Sequence, residues 1–290
     1  MIQCRGRRRK TRAVWQYLLP ATLEQKAASV IPLHDNLPTR RFPIVCILLI
    51  AANVLVFLVD QATSVTVTAV NPNGMPVGQE TMGGLSLHYS MIPAYVTGQA
   101  AGNHIPLPIT LQPAWLTVFT SMFLHANWLH IGGNMLYLWI FGNNIEDALG
   151  PVRFLLFYLA CGIGAAGLHI ASDPASTIPT IGASGAIAGV MGAYIYLYPR
   201  AQVLNLIFLG FFILFRELPA YIVIGFWIVL QVINANVLGS GGMLAHGGGV
   251  AYLAHVGGFF TGIILIVLLG GRRLTAAPPT ALPGYDLGDA

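Results

Sequence analysis

Three groups of side chains in this sequence have types and spacings suited to chemistry. Ser184 lies among small residues at the start of an apolar segment, where the first amide N–H groups of a helix lack intrahelical acceptors and suit an anion. His255 lies near the start of another apolar segment. His130 and Asn134 are four residues apart and therefore share one face of a third. A hydroxyl next to an imidazole and to hydrogen-bond donors suits nucleophilic attack on a carbonyl group.

Each of these residues also has a purely structural interpretation. Ser184 could cap or pack a helix, and His255 could be a packing residue. The His130 and Asn134 side chains could hold helices together through interhelical hydrogen bonds. Polar groups at membrane depth nevertheless mark functional sites by default, because they are costly there unless paired. The functional interpretation therefore requires that the surrounding segments lie in a membrane and bring these side chains together.

The composition indicates a membrane protein. The 290-residue chain is 56% hydrophobic and only 8% charged, whereas soluble proteins carry about a quarter charged residues. Its apolar runs of about 20 residues match the length that crosses a hydrocarbon core of roughly 30 Å. We therefore predict an all-α, polytopic membrane protein, a bundle of six transmembrane helices. The predicted spans are 43–59, 127–147, 152–171, 181–199, 218–237 and 251–270.

The distribution of basic residues predicts the orientation of these spans. Nine of the 14 Lys and Arg residues precede the first span. The others fall on the same side of the membrane when the six spans cross it in turn. The loops on the other side, 60–126, 172–180 and 238–250, contain no Lys or Arg. The net charge of +4 therefore reflects membrane topology rather than nucleic-acid binding. We expect a cytoplasmic N-terminus and a site that opens to the extracytoplasmic side of a bacterial plasma membrane.

The sequence divides into a membrane domain and two flanking tails. We predict a basic cytoplasmic tail over residues 1–42, a membrane-embedded domain over 43–271 and a flexible cytoplasmic tail over 272–290. Glu146 closes the second span, where a solvated charge is expected. Residues 201–217 are apolar and are interpreted as a link into the fifth span. The scattered cysteines show no disulfide framework and no metal-ligand spacing.

Pairs of small residues predict how the site-bearing segments pack. Such pairs, in small-xxx-small spacing, let two helix backbones approach closely in lipid. The pairs are Gly185 with Gly189 and Gly258 with Gly262. Ser184 lies one residue before the first pair and His255 three residues before the second, so their side chains could meet at matching depth. Six glycines among residues 238–250 predict a mobile cap over this site.

Together these motifs resemble the rhomboid family of intramembrane serine proteases. The resemblance covers roughly residues 43–270. The motifs that carry it are Gly182-Ala183-Ser184-Gly185, His130-x-x-x-Asn134 and Ala254-His255-Val256-Gly257-Gly258. It also includes Glu146 with Gly150 after the second span. The motifs come in the family's order and in the matching spans, which makes the resemblance specific.

The resemblance assigns a role to each candidate residue. It implies that Ser184 is the nucleophile and that His255 is its general base. It implies an oxyanion hole formed by His130, Asn134 and the backbone N–H of Ser184. Packing roles are expected for Gly182 and for the glycine pairs named above. The implied substrates are single-span proteins in the lipid bilayer, with helix-destabilising residues and a small residue near the cleavage site. Neither a metal nor another cofactor is expected, and the oligomeric state stays open.

Two features depart from the family's pattern. Trp115 is followed by Leu116 where the family's first loop carries a Trp-Arg pair. Ala188 occupies the position at which some members carry a Tyr that stacks on the base. Orientation of the base must therefore come from elsewhere. The alternative function is that of a catalytically weak or inactive rhomboid-like membrane chaperone or binding protein.

A transporter and a zinc enzyme are further alternatives. A transporter would show internal repeats, and none is found between the two halves of the sequence. A zinc site from His125, His130 and His255 lacks an HExxH pattern and a nearby acidic ligand. His125 is interpreted as a structural residue near the surface and His169 as an interfacial one, while His246 has no evident partner.

Overall fold

The computed structural model describes residues 29–70, 76–99, 113–209, 212–239 and 251–275. The described helices are α1 (Ile44–Ala62), α2 (Gly84–Tyr89), α3 (Pro93–Val96), α4 (Thr117–Thr120), α5 (Trp128–Leu149), α6 (Pro151–Ser172), α7 (Ser184–Leu197), α8 (Ala220–Gly239) and α9 (Tyr252–Leu268). The described strands are β1 (Ser29–Asp35), β2 (Val65–Val70), β3 (Pro76–Met82), β4 (Gln202–Leu209) and β5 (Phe212–Pro219). Short 3-10 helices lie at Ala114–Leu116, Ser121–Phe123 and Gly271–Leu274.

A helix occupies each predicted span position. These helices are α1, α5, α6, α7, α8 and α9, and each begins and ends within about one turn of the predicted boundaries. Among the described helices, α1 and α6 are long and apolar enough to cross a membrane. The fold is thus mostly helical, while a membrane crossing by each of the six helices stays a prediction.

Helix α7 lies at the centre of the bundle and packs against α5, α6 and α9. At its contact with α9, a Cβ added to Gly258 would lie 1.9 Å from the carbonyl oxygen of Gly185. A Cβ added to Gly262 would likewise lie 2.0 Å from the carbonyl oxygen of Gly189. Helices α7 and α9 therefore pack backbone to backbone, and this contact sets the relative depth of the residues that precede the glycines.

We expect Gly262→Ala to destabilise the protein, because its Cβ would lie 2.0 Å from the Gly189 carbonyl oxygen. Overpacking typically costs about 1–3 kcal/mol, and the neighbours here are backbone atoms that have no rotamer to change. Thermal unfolding of the detergent-solubilised protein should show a lower Tm. Gly225→Ala in α8 is the matched control, because the space around Gly225 is open and Ala favours a helix. An unchanged Tm for Gly262→Ala would contradict the close contact between α7 and α9.

Two antiparallel sheets accompany the helices, so the fold is mostly helical rather than all-α as predicted. Strands β2 and β3 form a hairpin, and β4 lies between β1 and β5 in a three-stranded sheet. The β4–β5 hairpin replaces the link predicted at 201–217, and its pairing runs from Gln202 opposite Pro219 to Leu209 opposite Phe212. Cross-strand pairing satisfies the backbone groups of this apolar segment, which is too short to span a membrane.

Strand β1 lies within the predicted tail 1–42 and is tied to the helices through Asp35. The Asp35 carboxylate accepts a hydrogen bond from the Tyr194 hydroxyl of α7 and another, at 2.7 Å, from Asn144 Nδ2 of α5. Burial raises the pKa of Asp35 above its ordinary value, although the Tyr194 hydrogen bond opposes this shift. Residues 29–35 are therefore part of the folded unit, and the boundary after residue 42 stays a prediction.

Glu146 is buried, which corrects the expectation of a solvated charge. Its side chain is only 3% exposed. The two carboxylate oxygens accept hydrogen bonds from the backbone N–H groups of Val45 and Cys46, at 2.9 and 2.8 Å. These N–H groups belong to the first turn of α1 and have no acceptor within that helix. Glu146 therefore caps α1 from α5, where the helix dipole favours a negative charge. The next residue, Asp147, forms an exposed ion pair with Arg40 at 3.1 Å.

Candidate active site

Ser184 and His255 form a hydrogen-bonded pair between two helices. Ser184 is the first residue of α7, and His255 lies in the first turn of α9. The Ser184 Oγ is 2.7 Å from the His255 Nε2, and His255 is only 8% exposed. The structure thus brings the two residues together, next to the glycine contact between α7 and α9. In this arrangement the hydroxyl is able to pass its proton to the ring.

The segment that precedes α7 is held by residues of the connection between α1 and α5. The Gly182 N–H donates to the carbonyl oxygen of Ser121 at 2.9 Å, and Thr180 pairs with Met91 through two backbone hydrogen bonds. Gly182 has a φ of +128°, a conformation that favours glycine. A Cβ at Gly182 would also lie 2.8 Å from the Nε2 of His130. Both the backbone conformation and the neighbouring imidazole therefore require glycine at this position.

The His130 ring has a defined donor that faces this segment. Asn127 caps α5 by accepting a hydrogen bond from the His130 N–H at 2.9 Å. The Ala126 N–H contacts the Nδ1 of His130 at 3.4 Å. Because Nδ1 accepts this hydrogen bond, a neutral ring carries its proton on Nε2, the atom next to Gly182. His130 is therefore able to donate a hydrogen bond into the space beside Ser184.

Asn134 supplies a second donor without an acceptor. It lies one turn after His130 on the same face of α5 and is 8% exposed. Its Nδ2 is buried and has no hydrogen-bond partner among the residues that the structure describes. An unsatisfied buried amide is costly, so an acceptor that arrives only with a substrate would explain its presence. The N–H of Ser184, at the start of α7, likewise has no acceptor within its own helix.

Two residues of α8, neither of them predicted from the sequence, contact the far side of His255. The Oε1 of Gln231 lies 2.8 Å from the Nδ1 of His255. The Trp227 ring packs on the imidazole, with 5.5 Å between the ring centroids. A polar side chain inside an apolar span was the available signal for Gln231, although that signal does not identify a partner on another helix. These contacts hold the His255 ring in place, which Ala188 cannot do.

His125 is fully buried rather than close to the surface as expected. Its ring packs edge-on against that of His130, with 4.9 Å between centroids. Neither nitrogen of His125 has a hydrogen-bond partner within the described part of the chain. The zinc alternative would use these two rings with His255, yet both nitrogens of His255 are already engaged, by Ser184 and Gln231. His255 thus contacts other side chains through both of its ring nitrogens, and the choice between serine and zinc chemistry stays a prediction.

His169 makes no hydrogen bond to Ser184 or His255 in the described structure. The Nε2 of His169 in α6 lies 3.0 Å from the hydroxyl of Thr180, so His169 helps to hold the segment before α7. Residues 240–250 of the predicted cap, which include His246, lie outside the described residues. The cap therefore stays a prediction.

Comparisons with known proteins point to one family. A family model, the Rhomboid domain, matches residues 112–272. The chain is 30% identical over 164 residues to the chloroplastic Rhomboid-like protein 11 of Arabidopsis thaliana, covering 54% of this chain and 53% of that protein. It is 28% identical over 153 residues to the mitochondrial Rhomboid protein 1 of Saccharomyces cerevisiae, covering 51% and 40%. It is 35% identical over 173 residues to the Rhomboid protease GluP of Bacillus subtilis, covering 57% and 30%. The chain thus matches about half or less of the length of these relatives.

These similarities overturn the expectation of a bacterial plasma membrane. Relatives from Arabidopsis thaliana, Saccharomyces cerevisiae and Rattus norvegicus carry chloroplastic or mitochondrial names. Such names point to organellar membranes. The predicted bacterial location is therefore wrong.

Proposed function

The chain belongs to the rhomboid family, and we propose that it is an intramembrane serine endopeptidase. The observation that carries this proposal is the 2.7 Å contact between the Ser184 Oγ and the His255 Nε2. The contact joins two helices that the glycine pairs hold together without intervening side chains. Family members named as proteases, such as GluP, support the same reaction class.

The first half of the proposed reaction forms an acyl-enzyme. The His255 Nε2 takes the Ser184 proton while the Oγ bonds to the carbonyl carbon of the substrate peptide. The electron pair of the C=O bond moves to oxygen, where the His130 Nε2–H, the Asn134 Nδ2–H and the Ser184 N–H serve as donors. The C–N bond then breaks, and the imidazolium gives its proton to the leaving amine. The acyl group stays on Ser184.

The second half returns the enzyme to its starting state. The His255 Nε2 takes a proton from a water molecule while the water oxygen attacks the acyl carbon. The tetrahedral intermediate collapses, the bond to the Ser184 Oγ breaks, and the Oγ regains a proton from the imidazolium. Water must therefore reach the end of the bundle at which α7 and α9 begin. Both site residues lie in the first turn of their helices, which is consistent with such access.

We propose that these six helices cross an organellar membrane and that the substrates are single-span membrane proteins. The apolar helices α1 and α6 support insertion in a bilayer. The chloroplastic and mitochondrial relatives favour an organelle. A peptide bond inside a transmembrane helix is hydrogen-bonded and shielded from attack, so substrates should carry helix-destabilising residues and a small residue near the cleavage site.

A rhomboid-like membrane chaperone or binding protein with weak or no turnover is the second candidate. Several relatives are named rhomboid-like without being named proteases, which favours this possibility. Such a protein would still bind single-span proteins. Unlike the protease, it would leave these proteins intact, and its Ser184 hydroxyl would not react with electrophiles.

Labelling with a fluorophosphonate probe tests the proposed function. The purified protein in detergent should form one adduct at Ser184, located by peptide mass spectrometry, because the His255 base activates only this hydroxyl. The same preparation should cleave a single-span substrate that has a small residue near a helix-destabilising one, with or without a chelator. Ser172→Ala is a matched control, because this exposed serine at the end of α6 makes only a local hydrogen bond.

The outcomes separate the two candidates. An adduct at Ser184 together with cleavage supports the protease. If the protein still binds the substrate but is not labelled and does not cleave it, the result supports the binding protein. An adduct at another serine, with cleavage unchanged by Ser184→Ala, would contradict the assigned nucleophile.

A further inference from the structure

One face of α8 contacts the imidazole that the proposed reaction uses as its base. Trp227 and Gln231 are four residues apart and therefore share this face. The Trp227 ring lies 5.5 Å from the His255 ring, with an angle of 35° between their planes. The Gln231 side chain, which is 8% exposed, reaches the Nδ1 of His255 at 2.8 Å. The imidazole is thus held on the side opposite to Ser184 by a third helix.

The hydrogen bonds of Gln231 define which way its amide points. Its Nε2 donates to the carbonyl oxygen of Trp227 at 3.4 Å. A carbonyl oxygen only accepts hydrogen bonds, so the NH2 end of the amide must face the α8 backbone. The Oε1 end then faces His255. The backbone of α8 therefore fixes an acceptor, not a donor, against the imidazole.

An acceptor at Nδ1 selects one tautomer of His255. An amide oxygen cannot donate, so the 2.8 Å contact requires a proton on Nδ1. A neutral imidazole with its proton on Nδ1 has a lone pair on Nε2. That lone pair faces the Ser184 Oγ at 2.7 Å. The Ser184 hydroxyl is consequently the donor in this contact, as removal of its proton requires.

We propose that Gln231 is a positioning residue that keeps the proton of His255 on Nδ1 and so leaves Nε2 free to accept the proton of Ser184. This inference rests on the proposed function, which it extends to a residue outside the Ser–His pair. In a Ser–His–Asp triad a carboxylate holds the base in this tautomer. A neutral amide does the same here without placing a negative charge beside the ring. Trp227 adds a flat apolar surface that restricts rotation of the ring.

The test compares three variants at two positions of α8. Gln231→Leu removes the acceptor at similar volume, and kcat should fall about 10- to 100-fold while KM stays close to that of the wild type. Gln231→Glu keeps an acceptor oxygen at this position and should restore most of the lost rate. Asn234→Leu is the matched control, because Asn234 lies on the same helix and makes no hydrogen bond to His255 or Ser184 in the described structure. Equal Tm values would show that the fold is retained.

A spectroscopic readout follows the tautomer itself. In protein with ¹⁵N-labelled histidine, the His255 signals are identified as those missing from His255→Ala. The wild type should show a protonated Nδ1 and an unprotonated Nε2, and Gln231→Leu should show a mixture of the two tautomers. A wild-type ring with its proton on Nε2, or an unchanged kcat for Gln231→Leu in an active protein, would overturn the proposal. If the wild type does not cleave any substrate, the proposed function fails, and the NMR readout still decides the role of Gln231.

Discussion

Ser184→Ala is expected to lower kcat by about 10⁶-fold, because a nucleophile and its base act as a unit. The variant lacks the oxygen that lies 2.7 Å from the His255 Nε2 and that would bond to the substrate. The proposed oxyanion donors are retained, so KM should change little. Cleavage of a fluorogenic single-span substrate in proteoliposomes measures both constants. The substitution removes one atom at the start of α7, and the Tm should stay within a few degrees of the wild type.

The same measurement on His255→Ala and on the double variant tests whether the two residues cooperate. Loss of His255 alone should be about as severe as loss of Ser184, and the double variant should be no worse than either single variant. This lack of additivity is expected only for groups that act in one step. If the losses multiplied in the double variant, the two side chains would contribute independently, and the proposed pair would be wrong.

Asn134→Ala is expected to lower kcat by about 100- to 1000-fold with little change in KM. The buried Nδ2 of Asn134 has no acceptor among the residues described. An interaction made only when negative charge develops on the substrate oxygen would affect kcat rather than ground-state binding. Steady-state kinetics of the purified variant separate the two constants. Loss of an interhelical hydrogen bond would instead reduce the Tm and leave the rate of the folded protein unchanged.

Two further variants of α5 sharpen this test. Asn134→Asp keeps the shape of the side chain but replaces the NH2 donor with a carboxylate oxygen, which would repel the developing oxyanion. We expect a loss of rate at least as large as that of Asn134→Ala. Gly132→Ala adds a methyl group two residues away where the space is open, so it should leave both kcat and Tm almost unchanged. A fully active Asn134→Asp would contradict the role proposed for Asn134.

The sequence predicts the helices and their main contact well, because both depend on local pattern. Apolar runs near 20 residues long determine where helices can begin and end, and all six predicted positions are helical. The small-xxx-small pairs determine which helix faces approach closely. The distances of 1.9 and 2.0 Å at Gly258 and Gly262 show that no side chain would fit between α7 and α9. The contact of Ser184 with His255 follows from these two local patterns.

Contacts between distant segments are not predictable from a single sequence in the same way. Strand β1 pairs with β4, which is far from it in the sequence, and no local pattern indicates that partner. In the sequence, Glu146 resembles any charged residue at the end of a span. Only the structure shows that the start of α1 lies against it. Gln231 is polar within an apolar segment, which indicates a role, but only the fold shows that its partner is His255.

The incorrect prediction of a bacterial plasma membrane has a different cause. The distribution of Lys and Arg indicates which ends of the helices share one side of a membrane. It does not identify the membrane, since the positions of these charges assign only the two sides of a bilayer. The names of chloroplastic and mitochondrial relatives are what point to an organellar membrane.

The glycine seam between α7 and α9 also limits how this protein could be redesigned. Because bare backbones are in contact, no intervening side chain can be enlarged or shortened to change the distance between the Ser184 oxygen and the His255 nitrogen gradually. Efforts to redesign the proposed active site should therefore leave this seam untouched.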